Sequence, residues 1–227
     1  MGTALRKALG ERGIACRVFD IEQDPDQDVA FHTDVWRSMR EAAREDEEKI
    51  VYHLAALSNR PESRRLPAEY YQVNVSGTIN VLQSCLDLGL KLVFMSTRYV
   101  LEPSCPYDFS KLFCERIIQD SGVPHVIFRF WGIFDEEGKD PNRWHLVPKL
   151  HDMAKAGAVK IWRPEEEVEL VPLPRAVEEL LRPLSWGDAE FSEFRLREVR
   201  GDRFRVGELA ERIAAKYGAK VEVVGED

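Results

Sequence analysis

The chain has 227 residues, 44% hydrophobic and 32% charged, enough for one large core or two closely packed ones. A net charge of -8 argues against a general binder of nucleic acid, whose phosphates call for a basic surface. No run reaches the roughly 18 apolar residues of a membrane span, and no basic-apolar-small leader opens the sequence, so a cytoplasmic protein is expected.

In chain order, hydrophobic periodicity predicts a helix over 3–11 ending at Gly13, a strand over 14–19, a short strand over 29–32 and a helix over 36–45. A strand follows over 50–54, and then a helix within 67–88 that stops near Gly89. Next come a strand over 91–95, a helix carrying Tyr107, and a strand over 124–130. Strands alternating with helices imply parallel crossovers with helices on both faces, that is, an α/β fold with a doubly wound parallel sheet. Further on, residues 144–156 and 206–217 read as helices, and 159–162 and 220–224 as short strands. The expected division is a domain over 1–135 and a small C-terminal lobe over 136–227, part of which returns to the first.

Cys16, Cys85, Cys105 and Cys114 lack C-x-x-C spacing and read as buried or incidental thiols, so no metal site is expected. Arginines from 195 to 205 alternate with Glu198 and Asp202, the pattern of a solvated surface. Trp144, Trp162 and Trp186 are isolated and read as packing residues.

Chemistry concentrates around Tyr107 and Lys111, which lie four apart and, on a helix, share one face. Ser96-Thr97, at the end of the 91–95 run, brings hydroxyls from a strand end. A phenol of pKa about 10 becomes useful for proton transfer near neutrality if nearby cations lower it to about 7, a differential interaction of about 4 kcal/mol. Alone, the pair also serves helix packing or solubility, and Ser96-Thr97 also suits the capping of backbone groups after a strand.

The order of five segments adds to this. Val51-Tyr52-His53-Leu54-Ala55-Ala56, Asn74-Val75-Ser76-Gly77-Thr78-Ile79-Asn80-Val81-Leu82, Ser96-Thr97, Tyr107 to Lys111, and Arg129-Phe130-Trp131-Gly132-Ile133-Phe134 together resemble the extended short-chain dehydrogenase/reductase family, the branch of NAD-dependent epimerases and dehydratases. The resemblance implies a Rossmann-like fold with NAD as cofactor, a small-molecule substrate such as a nucleotide sugar, and Thr97, Tyr107 and Lys111 as catalytic residues, with Asn74 in support. Lys111 would also hold the nicotinamide ribose and favour tyrosinate at Tyr107, and Ser96 stands where it could share Thr97's role.

Gly2 stands at the last position of the family's G-x-x-G-x-x-G turn, whose first strand and earlier glycines are absent from the sequence. The expectation is either a truncated chain or one diverged toward compromised cofactor binding. Asp20 stands where a carboxylate accepts hydrogen bonds from the adenosine ribose, favouring NAD over NADP; it equally suits an acidic strand-end cap. Asp34-Val35 resembles the adenine-contacting pair, or a helix N-cap ahead of Trp36. Leu54, Ala55 and Ala56 would bring backbone beside the cofactor, with His53 a packed strand residue.

Other positions depart from the pattern. Only residues 98–105 separate the hydroxyl pair from Pro106-Tyr107, Arg98 replaces an acidic residue, Gly132 replaces an asparagine, and Val171-Pro172-Leu173-Pro174-Arg175 stands where V-Y-V-D-D is common. The expected function is that of an NAD-dependent epimerase or reductase. The alternative is a catalytically impaired Rossmann-like binding or scaffold protein. By resemblance, the helices containing 74–88 and 107–120 would pair across a homodimer.

Overall fold

The computed structural model describes residues 1–19, 32–43, 50–139, 145–193 and 195–225. They fall into two compact units, Met1–Phe130 with Val177–Glu198, and Trp131–Ala176 with Val199–Asp227.

The first unit begins with helices α1 (Gly2–Glu11) and α2 (His32–Ala42), followed by strand β1 (Ile50–His53) and the short helices α3 (Arg60–Ser63) and α4 (Pro67–Tyr70). From α4 the chain runs through a π-helical stretch, Tyr71–Ser76, into α5 (Gly77–Leu88). Gly89, left-handed at φ 64°, ends that helix as the sequence predicts. Strand β2 (Lys91–Thr97), a 3-10 turn (Arg98–Leu101), α6 (Pro106–Asp120) and β3 (His125–Phe130) follow.

The sheet is parallel across β1, β2 and β3, pairing Ile50 with Lys91 and Leu92 with His125. On one face Leu92, Phe94 and Ile127 pack against Val81, Leu82 and Cys85 of α5, Cys114 and Ile118 of α6, and Met39 of α2. Elsewhere in the unit, Phe128 stacks on Trp186 with centroids 6.5 Å apart, and Trp186 meets Phe191 edge-on at 5.8 Å.

The second unit contains β4 (Gly132–Phe134), α7 (Leu146–Lys155), β5 (Ala158–Ile161) and β6 (Glu167–Pro172). Then come α8 (Leu173–Leu181), α9 (Asp188–Glu193), β7 (Leu196–Val199), β8 (Asp202–Arg205), α10 (Val206–Tyr217) and β9 (Lys220–Val223). Strand β7 completes the large sheet in the order β1-β2-β3-β7. Strands β4, β6 and β8 form a small mixed sheet, and β5 pairs with β9 in parallel. Leu150, Val159, Leu209 and Ile213 form the core between α7, α10 and these strands.

Two expectations need correction. Residues 14–19 form no strand among the described residues, and Val18 and Phe19 are exposed. Alternating apolar residues become a strand only against a ladder partner, and none of the described strands pairs with them. His32 opens α2 rather than closing a strand, because Trp36, Met39 and Ala43 recur at helical spacing and Met39 and Ala43 reach the core. Residues 29–31 lie outside the described residues.

Gly201 is required sterically: a Cβ there would lie 2.1 Å from the Leu170 carbonyl oxygen and 2.7 Å from the Val171 nitrogen, both backbone atoms. Gly201→Ala should therefore cost about 1–3 kcal/mol of stability. Gly10→Ala, inside α1 where a Cβ meets open space, should be neutral or stabilise by up to about 1 kcal/mol. Urea denaturation of the two variants side by side checks the contrast.

Candidate active site

Pro106 occupies the first turn of α6, where its fixed φ suits the helix and its missing N–H costs no bond. That start places Tyr107 at the head of the helix and Lys111 one turn on. Thr97 ends β2, and its Oγ1 accepts the Tyr99 N–H at 3.4 Å, capping the 3-10 turn. The same hydroxyl lies close enough to the Tyr107 phenol to favour its ionised form. The structure thus brings Thr97 and Tyr107 together.

Lys111 is buried, and its Nζ lies 3.9 Å from the centroid of the Phe94 ring. Burial lowers its pKa to about 8, although Cys114 and Glu115 pull in the other direction. Burial also pushes the Tyr107 phenol well above its ordinary value; Asp108, Tyr99 and Cys105 add to this, and the Thr97 hydroxyl opposes it. Among the protein's own groups, desolvation is the largest influence on the phenol. His53, 3.0 Å from the Thr78 hydroxyl through Nε2, is lowered to about 3 by burial and then by Lys111. It stays neutral at ordinary pH and is a packed strand residue, as the sequence indicates.

Asn74 sits in the π-helical stretch and is buried. Its Oδ1 accepts the Leu57 N–H at 2.8 Å, and its Nδ2 donates to the Leu57 carbonyl at 3.0 Å and to Ser110 Oγ at 2.9 Å. Ser110 in turn donates to the Tyr107 carbonyl at 2.8 Å. One amide therefore ties the segment after β1, which includes Leu54, Ala55 and Ala56, to the first turn of α6. The π-helix re-aims residue 74 by one position, a device frequent at functional sites.

Two ion pairs escaped the sequence reading. Arg129 grips buried Glu115, Nη2 to Oε2 at 2.6 Å and Nε to Oε1 at 3.0 Å, and Ser96 donates to the same carboxylate at 2.5 Å. Ser96 thus belongs to a brace joining β2, α6 and β3 and does not share Thr97's role. Arg60 makes a two-pronged bond to Asp108, Nε to Oδ1 at 2.9 Å and Nη2 to Oδ2 at 2.8 Å. Burial pushes the Asp108 carboxyl up, but the bonds from Arg60, the Ser104 amide and Cys105 outweigh it and hold the group below the usual carboxylate range. Neither pair has a local signature; the partners lie 14 and 48 residues apart.

Of the remaining expected residues, Gly2 opens α1, which has no side-chain cap and no acid in its first turn. The first intrahelical bond runs from Leu5 N–H to Met1 O, so the preceding amides suit an anion such as a pyrophosphate. Asp34 and Val35 fall in the first turn of α2. Asp20 lies outside the described residues. A depression of about 360 Å³ is lined by Arg6, Cys16, Arg17, Val18, Phe19, Ser38 and Glu41. Among the described residues no helix is long and apolar enough to cross a membrane, and no His, Cys, Asp or Glu cluster could hold a metal.

The profile of the NAD dependent epimerase/dehydratase family matches residues 1–168. The chain belongs to that family. A UDP-glucose 4-epimerase of Azospirillum brasilense is 34% identical over 110 residues, covering 40% of this chain and 31% of the relative. The decarboxylating sterol-4-alpha-carboxylate 3-dehydrogenase of Mus musculus is 27% identical over 191 residues, covering 70% of this chain and 49% of the relative. The chain thus spans about a third to a half of such relatives' length.

Among solved structures, a UDP-glucose 4-epimerase of Thermotoga maritima superposes with TM-score 0.81 at 18% identity, over 99% of this chain and 82% of that one. A dTDP-4-dehydrorhamnose reductase of Bacillus anthracis superposes with TM-score 0.82 at 18% identity, over 99% and 81%. The expected Rossmann-like α/β fold is borne out by these superpositions and by the parallel sheet.

Lys111 gives the site a pH signature. Its folded pKa of about 8 lies below the ordinary 10.5, so the unfolded chain holds the proton more tightly between those values. The cost of burying the ammonium is therefore fully present below about pH 8 and is relieved as pH rises toward 10. Lys111→Met should be more stable than the parent at pH 7, by on the order of 3 kcal/mol, and the advantage should shrink between about pH 8 and 10. Thermal melts of both proteins across that range check the sign.

Proposed function

We propose that the chain acts as an NAD-dependent epimerase or reductase on a nucleotide-linked sugar or a similar alcohol or carbonyl compound. The observation that carries this reading is the convergence of Thr97, at the end of β2, and Tyr107, at the head of α6, with Lys111 one turn further along the same helix. Tyr107 exchanges a proton with the substrate oxygen and Thr97 hydrogen-bonds that oxygen, so the two groups act on one atom from a strand end and a helix head. Gly2, Asp20, Asp34, Val35, Leu54, Ala55, Ala56, Asn74, Tyr107 and Lys111 would hold the cofactor. When bound, NAD supplies hydride transfer at its nicotinamide ring. Lys111 adds positive charge near the phenol, and Asn74 holds the cofactor-facing segment in register with Tyr107.

The Arg98 substitution and the short 98–105 connection keep epimerisation and reduction both within this reading. Four free thiols support a reducing compartment, and we assign the protein to the cytoplasm. Tyr107→Phe should lower turnover of UDP-glucose, or of a related nucleotide sugar, by at least about 10²-fold with an unchanged melting temperature. Undiminished turnover in the folded variant would remove Tyr107 as the acid/base; a folded parent that binds NAD yet turns over no such sugar would favour a binding protein.

We also propose that two copies pair through α5 and α6. The helices pack together, and each leaves large apolar side chains outside at helical spacing: Ile79 and Leu86, each 49% exposed, and Phe109 and Phe113, 41% and 56% exposed. Phe113→Glu should shift the protein from dimer to monomer in sedimentation velocity runs; a monomeric parent would refute the pairing.

A further inference from the structure

Asp108 is the side chain beside Tyr107 on α6, and none of its surface is exposed. Both its oxygens are taken: Arg60 bonds each, and Oδ2 also accepts the Ser104 N–H at 3.0 Å and lies 3.4 Å from the Ser104 hydroxyl. Arg60 also donates to Ser104 Oγ at 3.0 Å and stacks over the Tyr99 ring at 3.8 Å. It therefore holds the 3-10 turn that follows Thr97 and the helix start that carries Tyr107 at the same time. Its own position is fixed by the turn it belongs to, where the Asn59 side chain accepts the Glu62 N–H at 3.1 Å. Tyr70 donates to the Asn59 carbonyl at 2.7 Å and sets its ring edge-on to Tyr107 at 6.5 Å.

We propose that Arg60 is a positioning residue for proton transfer at Tyr107, acting through Asp108: its fork fixes the head of α6 and pairs the carboxylate of the residue that follows Tyr107. For its catalytic meaning, the proposal rests on the acid/base reading of Tyr107. Asp108 already opposes tyrosinate with Arg60 in place, and a bare carboxylate there would oppose it more strongly, because the guanidinium charge offsets part of its field. The other groups that act on the phenol are Thr97 from β2, Tyr99 from the 3-10 turn, Tyr70 from α4 and Cys105 at the helix start; Glu62 of α3 is bonded to the Tyr70 hydroxyl, and Lys111 lies one turn further along α6. Of these surroundings, Asp108 is the carboxylate adjacent to Tyr107 in sequence, and Arg60 is the cation bonded to it.

The test needs neither substrate nor cofactor. The protein is labelled at tyrosine Cζ with carbon-13, the Tyr107 resonance is assigned with Tyr107→Phe, and its ionisation is followed by NMR up to the pH at which the fold is lost. Asp108→Asn, which leaves the cation, should ionise about one unit or more below the parent. Arg60→Gln should ionise above the parent or stay protonated throughout, and Arg60→Gln/Asp108→Asn should fall near the parent. If Arg60→Gln does not fold alone, the double variant decides, since it should ionise above Asp108→Asn. Superimposable curves for parent, Asp108→Asn and the double variant, including all three staying protonated, would overturn the proposal and leave Arg60 as a brace only. The acid/base reading stands or falls separately, on turnover of UDP-glucose by Tyr107→Phe.

Discussion

Helix α6 carries three ionisable side chains out of water on one face: Asp108, Lys111 and Glu115. Each would be costly alone, since a charge in a low-dielectric interior keeps its ionised form only where partners replace its hydration. Asp108 has a guanidinium fork and a backbone amide; Glu115 has a second guanidinium and the Ser96 hydroxyl; Lys111 has the face of Phe94. These partners come from α3, from β2 and from β3, so satisfying the charges of one helix fixes its place against the sheet and against the loop that brings Thr97. The site geometry is a by-product of that compensation. The three solutions also differ in kind: both carboxylates gain bidentate bonds, while the ammonium gains a ring face, and burial lowers its pKa to about 8.

What was legible in the sequence was local. The spacing of Tyr107 and Lys111, the Gly89 stop and the 206–217 helix all follow from periodicity or from one residue's backbone freedom, and the structure shows each of them. The Arg60–Asp108 and Arg129–Glu115 pairs were not legible, because an ion pair leaves no periodic trace. The π-helical stretch has no composition of its own either: Tyr71 to Ser76 reads as ordinary helix, and only its bonds to Leu57 and Ser110 show why the extra residue is there. Residues 14–19 show the opposite failure, a correct pattern without a partner. In the second unit, Glu167–Pro172 and Asp202–Arg205 escaped notice because short strands rich in charge carry a weak alternation signal.

Asn74 connects these two kinds of information. As a residue type it is an unremarkable polar group in a helix, where it is a poor helix former. Placed at the bulge, its amide meets three groups, and two of them are the N–H and C=O of Leu57, which in an irregular segment after a strand end have no ladder to join. The weakness of asparagine as a helix former matches a stretch where the regular bonding pattern is already broken.

The chain passes from the first unit to the second after Phe130, back after Ala176, and out again after Glu198. Both units are therefore discontinuous in sequence, with consequences for the order in which they become complete during synthesis. Strand β7 must emerge before the large sheet has its last member, and the second core must wait for α10 and β9, which supply Leu209, Ile213 and the partner of β5. A nascent chain ending near residue 176 would hold α7 and β5 with their apolar faces uncovered. On a ribosome that interval is a matter of seconds, during which a holdase chaperone has a defined surface to recognise, and no single proteolytic cut releases either unit whole.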